Sequence, residues 1–368
     1  MKDSGVKAVV LDIDHDRIEA MGADSQGRLV PIALQDEASE LPLCVALDRR
    51  RPIAGRQALT LAYQAPLAVC RGFLPLLGTT ARWEYQRHTV CAEDALEIVL
   101  RQVAARLPRA SAVVFVVPSY LSVDQMRRVV RIASLAGIDA SALATRPLIV
   151  ALAGIEGNGS QNIVVDADDW ALSFVVVRAQ ADEIRQTMRA VDRWLGRRIW
   201  KEAVIRYVAE WCIRISRRDP RDSPLAYGML QAQAESLLDA ACENKRVFLE
   251  LQSELWLQAL DLSGGDIARA CHYLAGMVVQ DVRRLERRDA RLTDAAVLLS
   301  PTAAQLPALA SAVYACGEDR PPPTVPAPVR LLGAALAVVT RAQHGASRRV
   351  FYTRSVPLCH LPLGEGLA

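Results

Sequence analysis

Apolar residues near the start of the chain come in short runs that polar or turn-forming residues separate. The runs cover residues 6–13, 17–22 and 28–34, and the residues at 24–27 have the composition of a turn. Short runs of this kind, with such turns between them, are typical of antiparallel strands. We therefore predict a three-stranded meander here, with residues 41–47 as a further candidate strand.

A strand followed by a helix is predicted farther along the chain. Residues 112–117 form a continuous apolar run of the kind found in buried strands, and a helical pattern follows at 123–136. Ser122 precedes that helix and Gln125 is its third residue, which is the capping-box pattern. Gly137 stands where glycine commonly ends a helix. Local signals therefore specify both ends of this helix.

The segment between these two regions has a less regular pattern. Pro52, Pro66 and Pro75 interrupt residues 50–90 and prevent long regular elements there. One apolar stripe at helical spacing then predicts a helix at 92–107.

The opening pattern recurs near the middle of the chain. After a helix predicted at 147–154 and a glycine-rich break at 156–160, strand-like runs return at 162–165, 171–177 and 183–191. A meander followed by other elements thus occurs twice. A duplicated unit is the simplest explanation.

The second half of the chain is predicted to be mainly helical before strand and helix alternate again. Helices are predicted at 201–214, 225–249, 265–288, 306–316 and 329–343, a buried strand at 295–300, and an exposed proline-rich loop at 317–328. The residues after 343 show no clear helix or strand pattern.

The composition is that of a folded protein, since 51% of the 368 residues are apolar. This length corresponds to about two to three domains of ordinary size. A formal net charge of +3 gives no indication of a nucleic acid or a membrane surface as partner. The basic run at 283–288 is therefore interpreted as the solvated face of a helix.

Cysteine spacing and hydropathy exclude several further classes. The eight cysteines are scattered without a CxxC pair, so no structural zinc site is predicted and most are expected to be buried. Residues 295–317 carry no charge, but Pro301 and Pro307 argue against a continuous membrane span. The first residues lack the pattern of a signal peptide. We therefore expect a soluble, cytoplasmic protein.

The strand–helix unit carries a family signature. Residues 116–120 read VVPSY, residues 125–127 read QMR and residues 136–138 read AGI. These segments resemble the VPAYF…QR…AGL signature of the heat shock protein 70 family, the DnaK-type chaperones. Further similar segments follow in the family's order at 146–153, 195–200, 241–246, 296–300 and 332–335.

The resemblance implies an α/β protein with the actin-like ATPase fold, a duplicated RNase H-like fold with two lobes around a central cleft. Lobe I would span 1–158, with core segments 1–40 and 108–158 and an inserted subdomain at 41–107. Lobe II would span 159–345, with core segments 159–196 and 291–345 and an inserted helical subdomain at 197–290. The tail at 346–368 resembles a truncated linker, so no autonomous peptide-client domain is expected.

In that family, two glycine-rich turns hold the nucleotide phosphates, because backbone N–H groups must approach the oxygens without a Cβ in the way. Here the matching turns read Asp12-Ile13-Asp14-His15-Asp16 and Asp166-Ala167-Asp168-Asp169-Trp170. Carboxylates stand where phosphates would lie, and like charges repel. Glycine accounts for 20 of the 368 residues, which is below the average share of about 7%. Several of the glycines that the family has are missing at these turns.

Other family positions are also changed. Arg146 matches the family's general-base or water-positioning Glu, although arginine cannot accept a proton at neutral pH. Arg71 is the nearest match to its catalytic Lys, and Ser300 begins the segment that replaces its adenosine-side glycines. Lys245 and Arg246 match residues near the adenine and fall in a predicted helix, so a residual nucleoside contact stays open.

Three interpretations of the acidic turns remain open. The turns are solvated, or they pair with Arg146 or Arg71 in a network that locks the cleft, or they hold divalent cations that bridge to phosphates. In the third case the six aspartates of the two turns would hold the cations jointly, and Asp12 and Asp166 would be the metal ligands if nucleotide–metal binding persists. The candidate residues of this vestigial nucleotide site are Asp12, Asp14, Asp16, Asp166, Asp168, Asp169, Lys245, Arg246 and Ser300.

The motifs match two other enzyme classes poorly. The run that ends in Asp12 and Asp14 matches the start of the haloacid-dehalogenase phosphatases, where the first Asp is a nucleophile and the second an acid. His15 follows instead of threonine or valine, and the later lysine and acidic pair find no good match. A serine hydrolase is not indicated, because no GxSxG occurs and the histidines lie in no supporting motif.

These residues predict a pseudo-ATPase that acts through protein–protein interaction, as a scaffold or accessory subunit, with no cofactor. One alternative is a functional ATP-binding or ATP-hydrolysing protein that uses Mg²⁺ held by the acidic turns. Another is an actin-like polymer subunit. Other proteins are the expected partners, and nucleic acid is not. The degenerate catalytic positions are Asp12, Arg71, Arg146 and Asp166.

Overall fold

A computed structural model gives the fold of the chain. It describes residues 6–24, 28–48, 50–108, 112–155, 161–180, 183–317, 320–344, 350–352 and 355–357. The predicted glycine-rich break at 156–160 and most of the linker-like segment, with Cys359, lie outside these residues.

The described chain contains both strands and helices, which confirms the α/β class; the actin-like fold stays a prediction. The strands are β1 Ala8–Ile13, β2 Arg17–Ala23, β3 Leu29–Pro31, β4 Glu40–Pro42, β5 Cys44–Ala46, β6 Ile53–Ala54, β7 Val69–Arg71, β8 Arg82–Tyr85, β9 His88–Cys91, β10 Ala112–Val117, β11 Ala142–Thr145, β12 Gln161–Ala167, β13 Leu172–Gln180, β14 Glu183–Asp192, β15 Arg246–Gln252, β16 Leu257–Ser263, β17 Ala296–Leu299, β18 Val350–Tyr352 and β19 Ser355–Pro357. The helices are α1 Arg56–Gln64, α2 Ala92–Ala104, α3 Val123–Leu135, α4 Arg146–Gly154, α5 Arg197–Ser216, α6 Pro224–Cys242, α7 Gly264–Arg288, α8 Pro301–Ala304, α9 Leu309–Tyr314 and α10 Pro328–His344.

The chain divides into two compact units. Unit 1 consists of Met1–Ser160, Val177–Met188 and Pro326–Ala368, and unit 2 consists of Gln161–Val176 and Arg189–Val325. The lobe and subdomain boundaries inferred from the family resemblance stay a prediction.

A mixed sheet forms the centre of unit 1. Its strand order is β18-β11-β10-β1-β2-β3, with β4 also paired to β2. β1, β10, β11 and β18 are parallel, whereas β2 is antiparallel to β1, β3 and β4. The predicted meander is therefore confirmed, with a shorter third strand. The nearly complete burial of β10 and β11 explains their continuous apolar sequence, as expected for strands in a parallel sheet.

The strand–helix unit has the predicted local structure. The Ser122 hydroxyl accepts a hydrogen bond from the Gln125 backbone N–H, and the Gln125 side chain accepts one from the Ser122 N–H. This reciprocal pair satisfies two N–H groups that a helix start leaves without partners. Gly137 has φ of 90°, the left-handed conformation that glycine adopts at low cost. The sequence signals at both ends of α3 are confirmed.

The second sheet repeats the arrangement of the first. Its order is β17-β12-β13-β14-β19, so the second predicted meander is confirmed as adjacent strands. In each sheet the first strand of the meander has a parallel strand on its other side, β10 beside β1 and β17 beside β12. This correspondence supports the predicted duplication.

The helix predicted at 225–249 is wrong in its last part. α6 ends at Cys242, and Asn244 has a positive φ of 52°. The chain then enters β15, in which Leu249 and Leu251 are buried while Phe248 and its alternate neighbours are exposed. This alternation has the period of a strand. α5, α6 and α7 pack on one another, with the β15–β16 hairpin against α6 and α7, so the predicted helical insert contains a strand pair.

Two smaller predictions also need correction. The helix predicted at 306–316 is shorter, since α9 begins only at Leu309 and ends at Tyr314. Pro307 cannot donate a helix hydrogen bond, and Ala308 before α9 has a positive φ of 62°. The residues after 343 include β18 and β19, which pair with β11 and β14. Neighbouring strands, rather than any local pattern, provide their partners.

The described residues of the proline-rich loop at 317–328 are mostly exposed, as predicted, but the side chain of Arg320 is fully buried. The guanidinium of Arg320 donates hydrogen bonds from Nη2 to Glu286 Oε1, Leu292 O and Thr293 O. Burying a charge is tolerated only with such partners. Arg320 therefore attaches the loop to the end of α7.

Most of the described cysteines are buried, as the sequence predicts. Among the described residues, no helix is both long enough and apolar enough to cross a membrane. Cys44, Cys70, Cys212 and Cys271 are buried thiols, and no cysteine of the described chain forms a disulfide. Burial raises the pKa of the Cys271 thiol to about 12, as expected of an unreactive core residue.

We predict opposite effects for two glycine substitutions on α7. A Cβ on Gly264 would lie 2.7 Å from Lys245 O and 2.8 Å from Lys245 N, whereas a Cβ on Gly276 would meet nothing within 4 Å. Gly264→Ala should therefore lower the free energy of unfolding by about 1–3 kcal/mol. Gly276→Ala should raise it by up to about 1 kcal/mol, because alanine favours helix. Urea unfolding midpoints measure both, and equal midpoints would contradict the close packing at the α7 start.

Candidate functional site

The two acidic turns occupy equivalent places in the two sheets. The first lies between β1 and β2, and the second lies between β12 and β13. In the first turn the Asp14 N–H donates to Arg17 O at 2.8 Å, and in the second the Asp168 N–H donates to Ala171 O at 3.1 Å. The same hydrogen bond, from one residue to the carbonyl three positions later, thus closes both turns.

Arg146 provides the cation at the first turn. It is the first residue of α4, directly after β11, and its side chain is 7% exposed. Its Nη2 donates to Asp12 Oδ1 at 2.7 Å and to Ile13 O at 3.2 Å, while Nε donates to Asp12 Oδ2 at 3.4 Å. Nη2 also lies 3.8 Å from Asp14 Oδ2. A planar guanidinium contacts both oxygens of a carboxylate in this way.

Parallel strands explain why these residues meet. β1, β10 and β11 are parallel neighbours, so the ends of β1 and β11 lie at the same edge of the sheet. Asp12 and Asp14 come at the end of β1, and Arg146 follows β11. The predicted pairing of Arg146 with the acids is thus present within unit 1. The interpretation of the turns as solvated is wrong for Asp14, which is 7% exposed.

Further charged groups surround the first turn from β2 and β4. Asp12 is paired in register with Glu19, and burial raises the pKa of the Glu19 carboxyl, with Asp12 and Glu40 adding to the effect. For Arg17, burial lowers the pKa, but the carboxylates of Glu40, Asp14 and Asp16 outweigh it and the net direction is upward. Two arginines thus offset a larger number of carboxylates.

The second turn uses its own backbone to satisfy its acidic residue. Asp168 Oδ1 accepts hydrogen bonds from Trp170 N and Ala171 N, each at 2.9 Å. An aspartate that caps the next residues of a turn is a common local arrangement. Asp166 and Asp168 are both 3% exposed, so the interpretation as solvated turns is wrong for these residues too.

The start of α5 completes the second turn. The N–H groups of Arg197 and Arg198 donate to Asp168 O at 2.8 Å and Asp169 O at 3.4 Å. A Cβ on Gly196 would lie 2.6 Å from Trp170 C and 2.7 Å from Ala171 N. Glycine at this position lets the helix start approach the turn directly. The helix N–H groups that attract anions elsewhere are therefore bonded to backbone carbonyls here.

A cluster of charges beside the second turn was not predicted from the sequence. Lys201 Nζ donates to both carboxylate oxygens of Asp169 at 2.8 and 3.0 Å and forms an ion pair with Glu235. Arg197 Nη2 donates to Glu235 Oε2 at 2.6 Å. Burial lowers the pKa of Lys201, but Asp169 and Glu235 outweigh it and the net direction is upward. The spacing of Arg197 and Lys201 places them on one helix face, yet no local signal indicates Glu235 on α6.

Ser300 has a structural role at the end of the second sheet. It is fully buried, its N–H donates to Val165 O at 2.9 Å, and its hydroxyl accepts from Ala303 N at 3.2 Å as the cap of α8. Thr302 Oγ1 donates to Ala167 O at 2.6 Å. The segment that replaces the family's adenosine-side glycines is thus bonded to β12.

Three candidate residues, Arg71, Lys245 and Arg246, lie outside these contacts, whereas the carboxylate of Asp16 acts on Arg17 in the first turn. Arg71 is exposed at the end of β7 and forms no ion pair among the described residues. Asp16 is exposed. Lys245 pairs with Glu243, and Arg246 pairs with Asp261 across the hairpin. The prediction that Lys245 and Arg246 lie on a helix is wrong, because α6 ends before them.

The two acidic turns do not fit a nucleoside triphosphate. Such a ligand needs backbone N–H groups and cations directed towards its oxygens. Here the N–H groups of Trp170 and Ala171 are bonded to Asp168, and Arg146 is bonded to Asp12. Within the part of the chain that the structure describes, no group of three or more His, Cys, Asp or Glu residues is arranged to hold a metal ion.

Comparisons with known proteins leave the family resemblance as a prediction. The sequence matches no protein-family model, and it matches no curated protein.

We predict that Arg146 stabilises the first unit. Arg146→Met leaves Asp14 buried without its cation, which costs about 3–5 kcal/mol for a fully buried pair. Because the Asp12 side chain is 41% exposed, we expect the lower part of that range. The control Arg127→Met removes an exposed pair with Asp124, with side chains 68% and 83% exposed, and should change stability by less than about 1 kcal/mol. Similar unfolding midpoints for the two variants would contradict the role of Arg146.

A second prediction concerns pH and Glu19. When folding raises the pKa of a carboxyl group, the folded protein loses stability as the pH rises above the ordinary pKa of that group, about 4.3 for Glu. Glu19→Gln removes this loss, so the variant should become more stable than wild type as the pH rises from acid to neutral. The control Glu84→Gln removes an exposed carboxylate of the same unit. Chemical unfolding across that pH range tests the difference, and a constant offset for Glu19→Gln would overturn it.

Proposed function

We propose that this chain is a heat-shock-chaperone-like pseudo-ATPase of the actin-like fold that acts as a scaffold or accessory subunit through contacts with other proteins. The proposal combines the ordered segments that resemble the heat shock protein 70 family with the chemistry of the acidic turns. The repeated arrangement of the two sheets, each with a parallel strand beside its meander, is compatible with a duplicated fold.

The pairing of Arg146 with Asp12 and Asp14 is the observation that carries this proposal. In the resembled family a carboxylate at the position of Arg146 acts as general base or positions water, and glycine at the position of Asp14 leaves space for phosphate. Here the cation and the carboxylates satisfy each other at 2.7 and 3.8 Å. Phosphoryl transfer depends on positioning and on stabilisation of charge, and these residues direct their charge towards one another instead.

The second turn supports the same conclusion by a different route. Asp168 accepts two backbone N–H groups of its own turn, and Lys201 is bonded to Asp169. A phosphate would have to displace these bonds and lie beside buried carboxylates. Neither turn has groups free to bind phosphate. This favours a protein that acts through its surfaces, by contact with other proteins, and not through a nucleotide site.

Calorimetric titration with Mg-ATP tests the proposal. We expect no saturable heat up to millimolar nucleotide and no release of phosphate above the rate without protein. The measurement uses the full chain, with circular dichroism to confirm that each variant is folded. The exposed Asp124→Ala variant is the matched control for Asp12→Ala.

Micromolar binding that Asp12→Ala abolishes and Asp124→Ala preserves would overturn the pseudo-ATPase proposal. That result would favour the alternative in which the acidic turns hold Mg²⁺ and the metal bridges to ATP. Unchanged titrations for wild type and both variants, at the same flat baseline, would support the proposal.

A further inference from the structure

The outer side of α5 carries an unusual stripe of side chains. Tyr207, Trp211, Arg214, Ile215 and Arg218 are spaced so that they follow one side of the helix and the turn after it. Ile215 is 53% exposed, and the two arginines are exposed. A solvated helix face ordinarily carries mixed charges, whereas this one presents aromatic rings, an aliphatic side chain and guanidinium groups.

These side chains are ordered against each other. The rings of Tyr207 and Trp211 lie 6.3 Å apart, and the guanidinium of Arg214 lies 5.5 Å from the centroid of Trp211. Arg218 lies 5.9 Å from the ring of Trp256, which belongs to the β15–β16 hairpin. Contacts of this kind hold an arginine in place while the edge of its guanidinium stays available to an anion.

A hydrogen bond attaches the hairpin to the end of α5. Ser216 Oγ donates to the buried Gln258 Oε1 at 2.7 Å. The turn that precedes Trp256 is closed by Ser253, whose N–H donates to Trp256 O at 2.8 Å and whose hydroxyl accepts from Trp256 N at 3.1 Å. Leu255, at the tip of this turn, is 92% exposed. The helix and the hairpin thus form one surface, which we call the aromatic–arginine surface: Tyr207, Trp211, Arg214, Ile215, Arg217, Arg218, Leu255 and Trp256.

The charge of this surface is positive. Arg214, Arg217 and Arg218 form no ion pair with any residue that the structure describes, whereas the neighbouring Arg221 is paired with Asp219. Arg269 adds a positive charge near Tyr207, although Asp266 pairs with it. The acids of α5 and the hairpin do not cancel this charge. Glu202 and Asp261 pair with Arg198 and Arg246. The other acids of these elements are Glu210, Glu250 and Glu254, and no ion pair joins them to the three arginines.

We infer that the aromatic–arginine surface binds an acidic segment of a partner protein that also carries apolar side chains. Three unpaired guanidinium groups match carboxylates in charge and geometry. Ile215 and Leu255 offer apolar contact beside them. Trp, Tyr and Arg are the residues that contribute most to protein–protein interfaces. Single-stranded nucleic acid fits less well, because bases stack on open aromatic faces and arginines lie over Trp211 and Trp256.

This inference deepens the proposed scaffold function, and it rests on that function for a protein as the partner. Its test needs no nucleotide, so failure of either proposal is seen separately. The probe is a short fluorescein-labelled peptide of Glu and Asp with two Leu residues one helical turn apart. The same peptide with Gln and Asn in place of the acids is its control, and labelled oligothymidine represents nucleic acid.

Fluorescence anisotropy with the full chain should show binding of the acidic peptide that weakens as salt is added. Arg214→Glu with Arg218→Glu should weaken it at least about tenfold, and Trp211→Ala should weaken it by a similar factor. The matched control is Arg287→Glu, because Arg287 and Arg214 are both exposed and both lie in the last turn of a helix. That control should stay within about twofold of wild type, as expected of a surface charge outside the site.

Three results would overturn the inference. They are the absence of acidic-peptide binding by wild type, an equal loss in Arg287→Glu, and binding of oligothymidine that falls in the Arg214 and Arg218 variants while the peptide does not bind. Circular dichroism and thermal melting show whether each variant is folded. If Trp211→Ala unfolds, the arginine variants, which alter exposed side chains alone, still decide the outcome.

Discussion

A carboxylate that follows a buried strand must find a cation or N–H donors, because an unpaired charge in such a place costs several kcal/mol. This constraint applies at the acidic turns of the two largest sheets. In unit 1 Asp14 accepts the N–H of His15 from its own turn, and Arg146, which follows β11 in the same sheet, reaches Asp12 and approaches Asp14. In unit 2 the turn supplies its own donors, and Asp168 accepts the N–H groups of Trp170 and Ala171. The strand ends are thereby closed by internal hydrogen bonds.

The same groups decide what these strand ends can bind. Backbone N–H groups and arginines are the parts from which phosphate sites are made, and here they already have carboxylates or carbonyls as partners. The start of α5 illustrates the point, since its first N–H groups donate to Asp168 O and Asp169 O. A ligand would have to replace these bonds rather than add to them. In contrast, Arg214, Arg217 and Arg218 on the outer side of α5 form no ion pair within the described chain, so their charge stays available to an anion.

Much of the local structure could be predicted because it depends on neighbours in sequence. The capping box at Ser122, the glycine end of α3 and both meanders follow from short-range patterns. The predictions that are wrong share a different cause. The helix predicted to Leu249 ends at Cys242 because the hairpin buries Leu249 and Leu251. A leucine-rich segment fits the helical period and the strand period equally well. β18 and β19 exist because β11 and β14 offer edges, which the tail sequence does not reveal.

The amino-acid sequence by itself determined the α/β class, the repeated meander and the acidic character of the two turns, because these properties reside in local spacing and residue type. Tertiary structure alone decided which charges became partners. Glu235 reaches Arg197 and Lys201 from α6, and Trp256 reaches Arg218 from the hairpin. Such pairs join residues that are distant along the chain, and packing of helices and strands sets their distances. The sequence shows which charged residues are present, but only the fold shows which of them neutralise one another and which remain available to a partner.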